Sequence, residues 1–196
     1  MQLRMIRTNL LNLPEIKMPP GYRLRTYQEN DNWHWANIIN SSFGGDRTDA
    51  DTREQIVDRP EFESTGLFFS TYQDQPVGTA CAWKWNGADE KEVGQLHMVG
   101  VMPEHSGYRL GKWVSLAVLY YHRQQGFKCA VLGTDDFRLP AIKTYLNLDF
   151  MPIYVEDDQP ERWQVIFEKL KLPFISDSVD QVRTTLSENI ITKIYQ

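Results

Sequence analysis

Two glycines, Gly107 and Gly111, fall in the run Val101–Lys112 (VMPEHSGYRLGK), between an apolar stretch of strand character and a strongly apolar stretch of helical character. The chemistry such a connection offers is anion binding. The first N–H groups of a helix have no partner inside it, and the helix dipole adds a partial positive charge at the same point. An anion such as a pyrophosphate is then held by main chain alone, with glycine permitting close approach. Two spaced glycines also fit a plain strand-to-helix crossover, so the loop needs support from its surroundings.

The elements that position this loop can be read on either side of it. A strand spans about Glu92–Met102 and stops at Pro103, and Leu110, Trp113, Val114, Ala117, Val118 and Tyr121 recur at the spacing of one buried helix face. Upstream, Tyr22–Tyr27 alternates as a strand. Asp31 caps a helix running to about Ser42 that ends at Gly44-Gly45. A second helix covers Asp51–Asp58, capped by Asp49 or Asp51 and stopped by Pro60. Strands at Gly66–Tyr72 and Val77–Trp85 flank the turn Gln73–Pro76, and the loop Asn86–Lys91 leads on to the next strand. Downstream come a short buried strand at Lys128–Gly133, a helix at Ala141–Leu148 begun by Pro140, and a last strand at Trp163–Leu170. After Pro173, an amphipathic helix of about Ser178–Ile194 docks on the body or on a partner chain.

This order predicts a mixed α/β sheet: an antiparallel set, then β-α-β-α-β with a parallel, right-handed crossover. Ligands in such sheets settle where neighbouring strands part. The expected organisation is an N-terminal arm or edge strand at 1–20, a single domain at 21–172 and a helical extension at 173–196. The arm and the last helix fit a homodimer, and equally a monomer with a decorated edge.

At 196 residues, with 41% hydrophobic and 24% charged residues, the chain has the composition of an ordinary globular protein. A net charge of −5 argues against a nucleic-acid partner. No apolar run reaches membrane-span length, and Cys81 and Cys129, each inside an apolar run, read as small buried hydrophobes of a reducing compartment. The expectation is a soluble cytoplasmic protein without a metal site.

With that order in place, residues 22–170 resemble the GNAT superfamily of acyl-CoA-dependent N-acetyltransferases. That family follows a strand ending V-x-P with a pyrophosphate loop of the type R-G-x-G-x-G. Val101, Pro103, Gly107 and Gly111 agree with it, while Ser106 replaces the usual Arg or Gln and Arg109 replaces the middle glycine. A second family signature, N-x-x-A-x-x-x-Y-x-x-x-G-F, is met at Ala141, Tyr145 and Phe150, with Arg138 for Asn and Asp149 for Gly.

The resemblance implies the GNAT fold and transfer of acetyl from acetyl-CoA to a primary amine of a small molecule or peptide, by direct attack in a ternary complex. It assigns the co-substrate to Ser106, Gly107, Tyr108, Arg109, Leu110, Gly111 and Lys112, to main-chain groups of Val99 and Val101, and to Arg138. Tyr145 is the implied partner of the leaving thiolate, by proton donation or by a hydrogen bond. His97 titrates in the range useful for deprotonating an ammonium, and Glu92 offers a route through water; a histidine half in the core is the plainer reading of His97. Trp83, Trp85 and Asp46 are candidate acceptor contacts. Asp135 either meets a substrate ammonium or caps the following turn. The alternative function is a catalytically silent acyl-CoA-binding or regulatory module of the same fold.

Overall fold

The computed structural model describes residues 1–85, 92–174 and 183–195. The expected loop at 86–91 and the first part of the expected C-terminal helix lie outside the described residues. Strand β1 (Leu3–Arg7) is apolar on both faces: Leu3 and Met5 enter the main core and Ile6 a smaller cluster opposite, all three without exposed surface. Such a strand belongs inside a sheet. It pairs antiparallel with β6 (Cys129–Thr134) on one side and with β7 (Met151–Ile153) on the other. The expectation of an edge strand is corrected accordingly.

The remaining strands are β2 (Tyr22–Thr26), β3 (Leu67–Tyr72), β4 (Gln75–Lys84) and β5 (Val93–Val101). The seven run in the order β2-β3-β4-β5-β6-β1-β7. Neighbours from β2 to β5 are antiparallel, and β5 and β6 are parallel. Gln73 and Asp74, with φ of 48° and 63°, make the two-residue turn between β3 and β4.

Helix α1 (Asn32–Phe43) packs Trp35, Ile38 and Ile39 on one face of the sheet, and α3 (Leu110–Gln124) packs Val114, Leu116 and Leu119 on the other. Asp31 stands at the N-cap of α1 but does not cap with its side chain, which instead binds Arg25 (2.9 Å) and the N–H of Gln28 (2.7 Å). The short α2 (Asp49–Thr52) continues as a π-helical turn, Arg53–Val57. Its cap is Thr48, closed into a capping box by Asp51.

Beyond β6 come α4 (Leu139–Leu146), α5 (Gln159–Leu170) and α6 (Glu188–Tyr195). The predicted last strand at Trp163–Leu170 is therefore a helix. Trp163, Ile166, Phe167 and Leu170 stand at i, i+3, i+4 and i+7, and the first three are buried. Pro160 in the first turn suits a helix start. The place beside β6 that a returning strand would take is filled by β1. Among the described residues, no helix is long and apolar enough to cross a membrane.

Candidate active site

Parallel pairing of β5 with β6 covers only Val93, Gln95 and the residue between them, although both strands continue further. The register between β4 and β5 shifts between Thr79 and Cys81, and Met98 takes a φ of 50°, a conformation non-glycine residues adopt at a cost. A bulge of this kind bends its strand and leaves main-chain groups outside the ladder. The result is a cleft of about 820 Å³ between the splayed strands. Val99, Val101, Gly111, Arg138 and Tyr145 line it together with His97 and Asp135.

At the mouth of α3 the chain makes one 3-10 turn, Pro103–His105, before Gly107 (φ 85°) and Arg109 (φ 58°) bring it to the helix start. The N–H of Ser106 returns to Pro103, and those of Lys112 and Trp113 return to the carbonyl of Arg109. The N–H groups of Gly107, Tyr108, Arg109, Leu110 and Gly111 have no acceptor among the described residues. Arg109 is exposed at the helix mouth, and of residues 106–112 only Gly111 is part of the cleft lining. A Cβ at Gly107 would meet nothing within 4 Å; its positive φ alone calls for glycine.

This loop is pinned from behind. The Tyr22 hydroxyl pairs with His105 Nδ1 at 2.9 Å, and the Tyr22 ring lies 5.0 Å from those of both Tyr72 and Tyr108. Nothing in the local sequence announces the cluster, because it joins two distant strands to the loop.

Tyr145, 6% exposed, projects from α4 with its ring edge-on to Phe150. Burial pushes its phenol well up, with only a small opposing effect from Arg138. The end of α4 is tied by Arg7, whose guanidinium is 3% exposed. Arg7 donates to the carbonyls of Leu148, Asn9 and Asn12 and to the carboxylate of Asp149 at 2.8 Å. Asp149 stands at φ 58°, where the resembling pattern has glycine; its tolerance of that conformation and its Arg7 partner account for the replacement.

His97 lies against the Trp83 ring at 5.6 Å, and burial draws its pKa down to about 4. The imidazole is thus neutral at neutral pH and a weak base. His122, packed beneath Gly94 on the other face, is also drawn down to about 4 by burial. Below pH 6.5 the unfolded chain protonates both rings while the folded chain does not until about 4, so stability falls across that window and is unaffected above it. The melting temperature should already drop between pH 6.5 and 5, above the ordinary carboxylate range; a flat profile there overturns the neutral assignment.

Of the expected co-substrate loop only Gly111 lines the cleft, Ser106–Leu110 and Lys112 standing outside its lining, and four expected catalytic and acceptor residues lie outside it as well. Glu92, at the far end of β5, is bonded to Lys128 (3.2 Å) and Asn189 (3.3 Å). Trp85 lies under the Arg4 guanidinium (4.8 Å) beside the smaller core cluster. Trp83 supports His97 from the core and lines only a separate small pocket. Asp46 is exposed, and it is the next residue, Arg47, that lines the cleft. Asp135 does line it, held by Arg138 (2.8 Å) and Gln2 (3.1 Å). Gln2 belongs to no motif and was not legible in the sequence, while Arg47 adjoins the expected acceptor contact Asp46.

Residues 32–150 match the Acetyltransferase (GNAT) family. Mycothiol acetyltransferases are among the similar proteins. That of Thermomonospora curvata is 28% identical over 144 residues, 70% of this chain and 47% of its own. That of Nocardia farcinica is 32% identical over 151 residues, 74% of this chain and 50% of its own. The chain spans about half the length of the curated relatives it matches. A GCN5-related N-acetyltransferase from Sphaerobacter thermophilus superposes with a TM-score of 0.59 at 18% identity, over 77% of this chain and 48% of that one. An aminoglycoside N-acetyltransferase solved with CoA gives 0.54 at 18% identity, over 66% of this chain and 88% of that one. At such identities the likeness is one of fold. With more than half its length matched by the family pattern, the chain belongs to the GNAT acetyltransferase family.

Proposed function

We propose that this protein transfers the acetyl group of acetyl-CoA to a primary amine by direct attack in a ternary complex. The observation that carries the reading is the set of unpartnered N–H groups from Gly107 to Gly111, the last of which lines the cleft whose wall also holds Tyr145. In this reading the diphosphate sits on those donors, and the pantetheine arm pairs with main chain of Val99 and Val101 like an added strand. The amine nitrogen forms a C–N bond to the thioester carbonyl, the C–S bond breaks, the sulfur leaves as a thiolate stabilised by a hydrogen bond from Tyr145, and the proton lost from nitrogen passes to solvent. His97, neutral in the cleft, accepts a hydrogen bond from the incoming amine. A cytoplasmic setting goes with this co-substrate and with two free buried cysteines.

Calorimetric titration with acetyl-CoA, followed by free-thiol release across a panel of amines, tests the proposal. Absence of binding at millimolar ligand sinks it, and binding without thiol release from any amine leaves a silent acyl-CoA module instead. Gly107→Val should weaken acetyl-CoA binding about 10-fold through backbone strain, since the space around it is open. Tyr22→Ala should raise KM for acetyl-CoA by about the same factor with kcat within twofold, and Tyr22→Phe should recover most of that loss. Equal KM in all three proteins would show the aromatic cluster to be irrelevant to the loop.

A further inference from the structure

Resting on the acetyl-transfer reading, we infer that the amine acceptor also carries an anionic group, a carboxylate or phosphate, and that Arg47 receives it. The protein as a whole carries a net charge of −5, yet the charged residues lining its cleft are Arg47, Arg138 and Asp135, two cations to one carboxylate. Both oxygens of Asp135 are engaged, one by Arg138 Nε at 2.8 Å and one by Gln2 Nε2 at 3.1 Å. That pair is internally neutral, and Arg138 lies further over the Phe43 ring at 4.2 Å. Among the described residues, no lining carboxylate is left to recognise a second ammonium, as a polyamine or polycationic antibiotic would require.

Arg47 differs from Arg138. Its side chain makes two long contacts to neutral acceptors, Nε to Gln55 Oε1 at 3.4 Å and Nη1 to the Gly44 carbonyl at 3.3 Å, and no ion pair within 4 Å among the described residues; the carboxylate near enough to feel its charge is Asp51, itself bound to Thr48. Its backbone, by contrast, is fixed to α1. The N–H of Arg47 donates to Asn40 Oδ1 at 3.0 Å, and its carbonyl accepts from Asn40 Nδ2 at 2.9 Å. A guanidinium on an anchored loop with weak neutral partners is poised for a bidentate anion.

The loop that carries this cation and the diphosphate loop belong to helices on opposite faces of the sheet, and the two sides meet in the cleft, where Ser42 Oγ donates to the Val101 carbonyl at 3.0 Å. Helix α3 and Tyr145 pack with Leu96 and Leu132 on one face, whereas α1 packs with Cys81 and Met98 on the other. The diphosphate loop opens α3, and Arg47 follows α1. Arg47 therefore enters the cleft from the α1 side, and His97, Gln95 and Gln2 add neutral hydrogen-bonding groups to the same lining.

The test compares acceptors in matched pairs: glucosamine 6-phosphate against glucosamine, and L-alanine against L-alaninamide, with spermidine and kanamycin as polycations. Thiol release is measured for wild type, Arg47→Gln and Arg47→Lys. The expected result is a kcat/KM at least about 10-fold higher for the anionic member of a pair, abolished in Arg47→Gln and partly kept in Arg47→Lys. KM for acetyl-CoA should stay within about twofold. Preference for spermidine, kanamycin or the neutral members overturns the inference, as does an equal loss on all acceptors in Arg47→Gln. Thermal shift of the CoA complex by glucosamine 6-phosphate against glucosamine reads the anion site without turnover. A phosphate-specific shift lost in Arg47→Gln supports it, and equal shifts overturn it. Failure of acetyl-CoA binding itself would instead strike the acetyl-transfer reading.

Discussion

Tyr145→Phe should lower turnover about 100-fold while leaving acetyl-CoA affinity within about twofold. The ring stays wedged against Phe150, so the substitution removes a hydroxyl and little else. The direction of its pKa decides how that hydroxyl works. Burial raises the phenol above its ordinary value, further from a thiolate whose conjugate acid has a pKa of about 8.5. Complete transfer of the proton to sulfur is therefore uphill, and the hydroxyl acts mainly as a hydrogen-bond donor to charge developing on the sulfur as the C–S bond breaks. Single-turnover thiol release, combined with a binding titration, separates the two quantities. Unchanged release in Tyr145→Phe would strip this residue of its proposed role.

The largest stability effect is expected at Arg7. Replacement by Met keeps the length of the side chain but leaves the carbonyls of Leu148, Asn9 and Asn12 without their charged donor, costing about 3 kcal/mol. Asp149→Gly provides the contrast. That carboxylate is 78% exposed, so losing its ion pair with Arg7 should change stability by less than about 1 kcal/mol. Glycine also takes φ 58° freely. Denaturant midpoints for the two variants check the pair. Equal losses would mean that the ion pair, and not the carbonyl contacts, holds the end of α4. Since Tyr145 sits on that helix, Arg7→Met should also lower turnover in the fraction that remains folded.

The parts of this architecture that were legible in the sequence are those with a local cause. Helical spacing from Leu110 to Tyr121 placed α3, and alternation placed β2 through β5 within a residue or two. The glycines of the loop marked the donor cluster, and the spacing of Ala141, Tyr145 and Phe150 marked α4 and its phenol. The failures have physical reasons. The expectation of a strand at Trp163–Leu170 fails because its apolar residues stand at helical spacing. Met151–Ile153 is too short and too proline-bearing to announce β7. Glu92 and Asp46 are the right residue types at plausible places, but an ion pair with Lys128 and a solvent-facing position take them away from the cleft. Gln2 reaches the cleft only through tertiary folding, across a sequence separation that no local pattern encodes, whereas Arg47 is one residue from the expected contact Asp46.

The place of β1 has a consequence for how the protein is made. Leu3 lies opposite Thr134 and Arg4 opposite Ile153, so this strand has no seat until the chain has been made through β6 and β7. Through that interval a two-sided apolar ribbon waits unpaired, with its backbone open to any passing strand. Translation tempo between β1 and β7, and the chaperones that shield nascent ribbons, should therefore influence the yield of active protein.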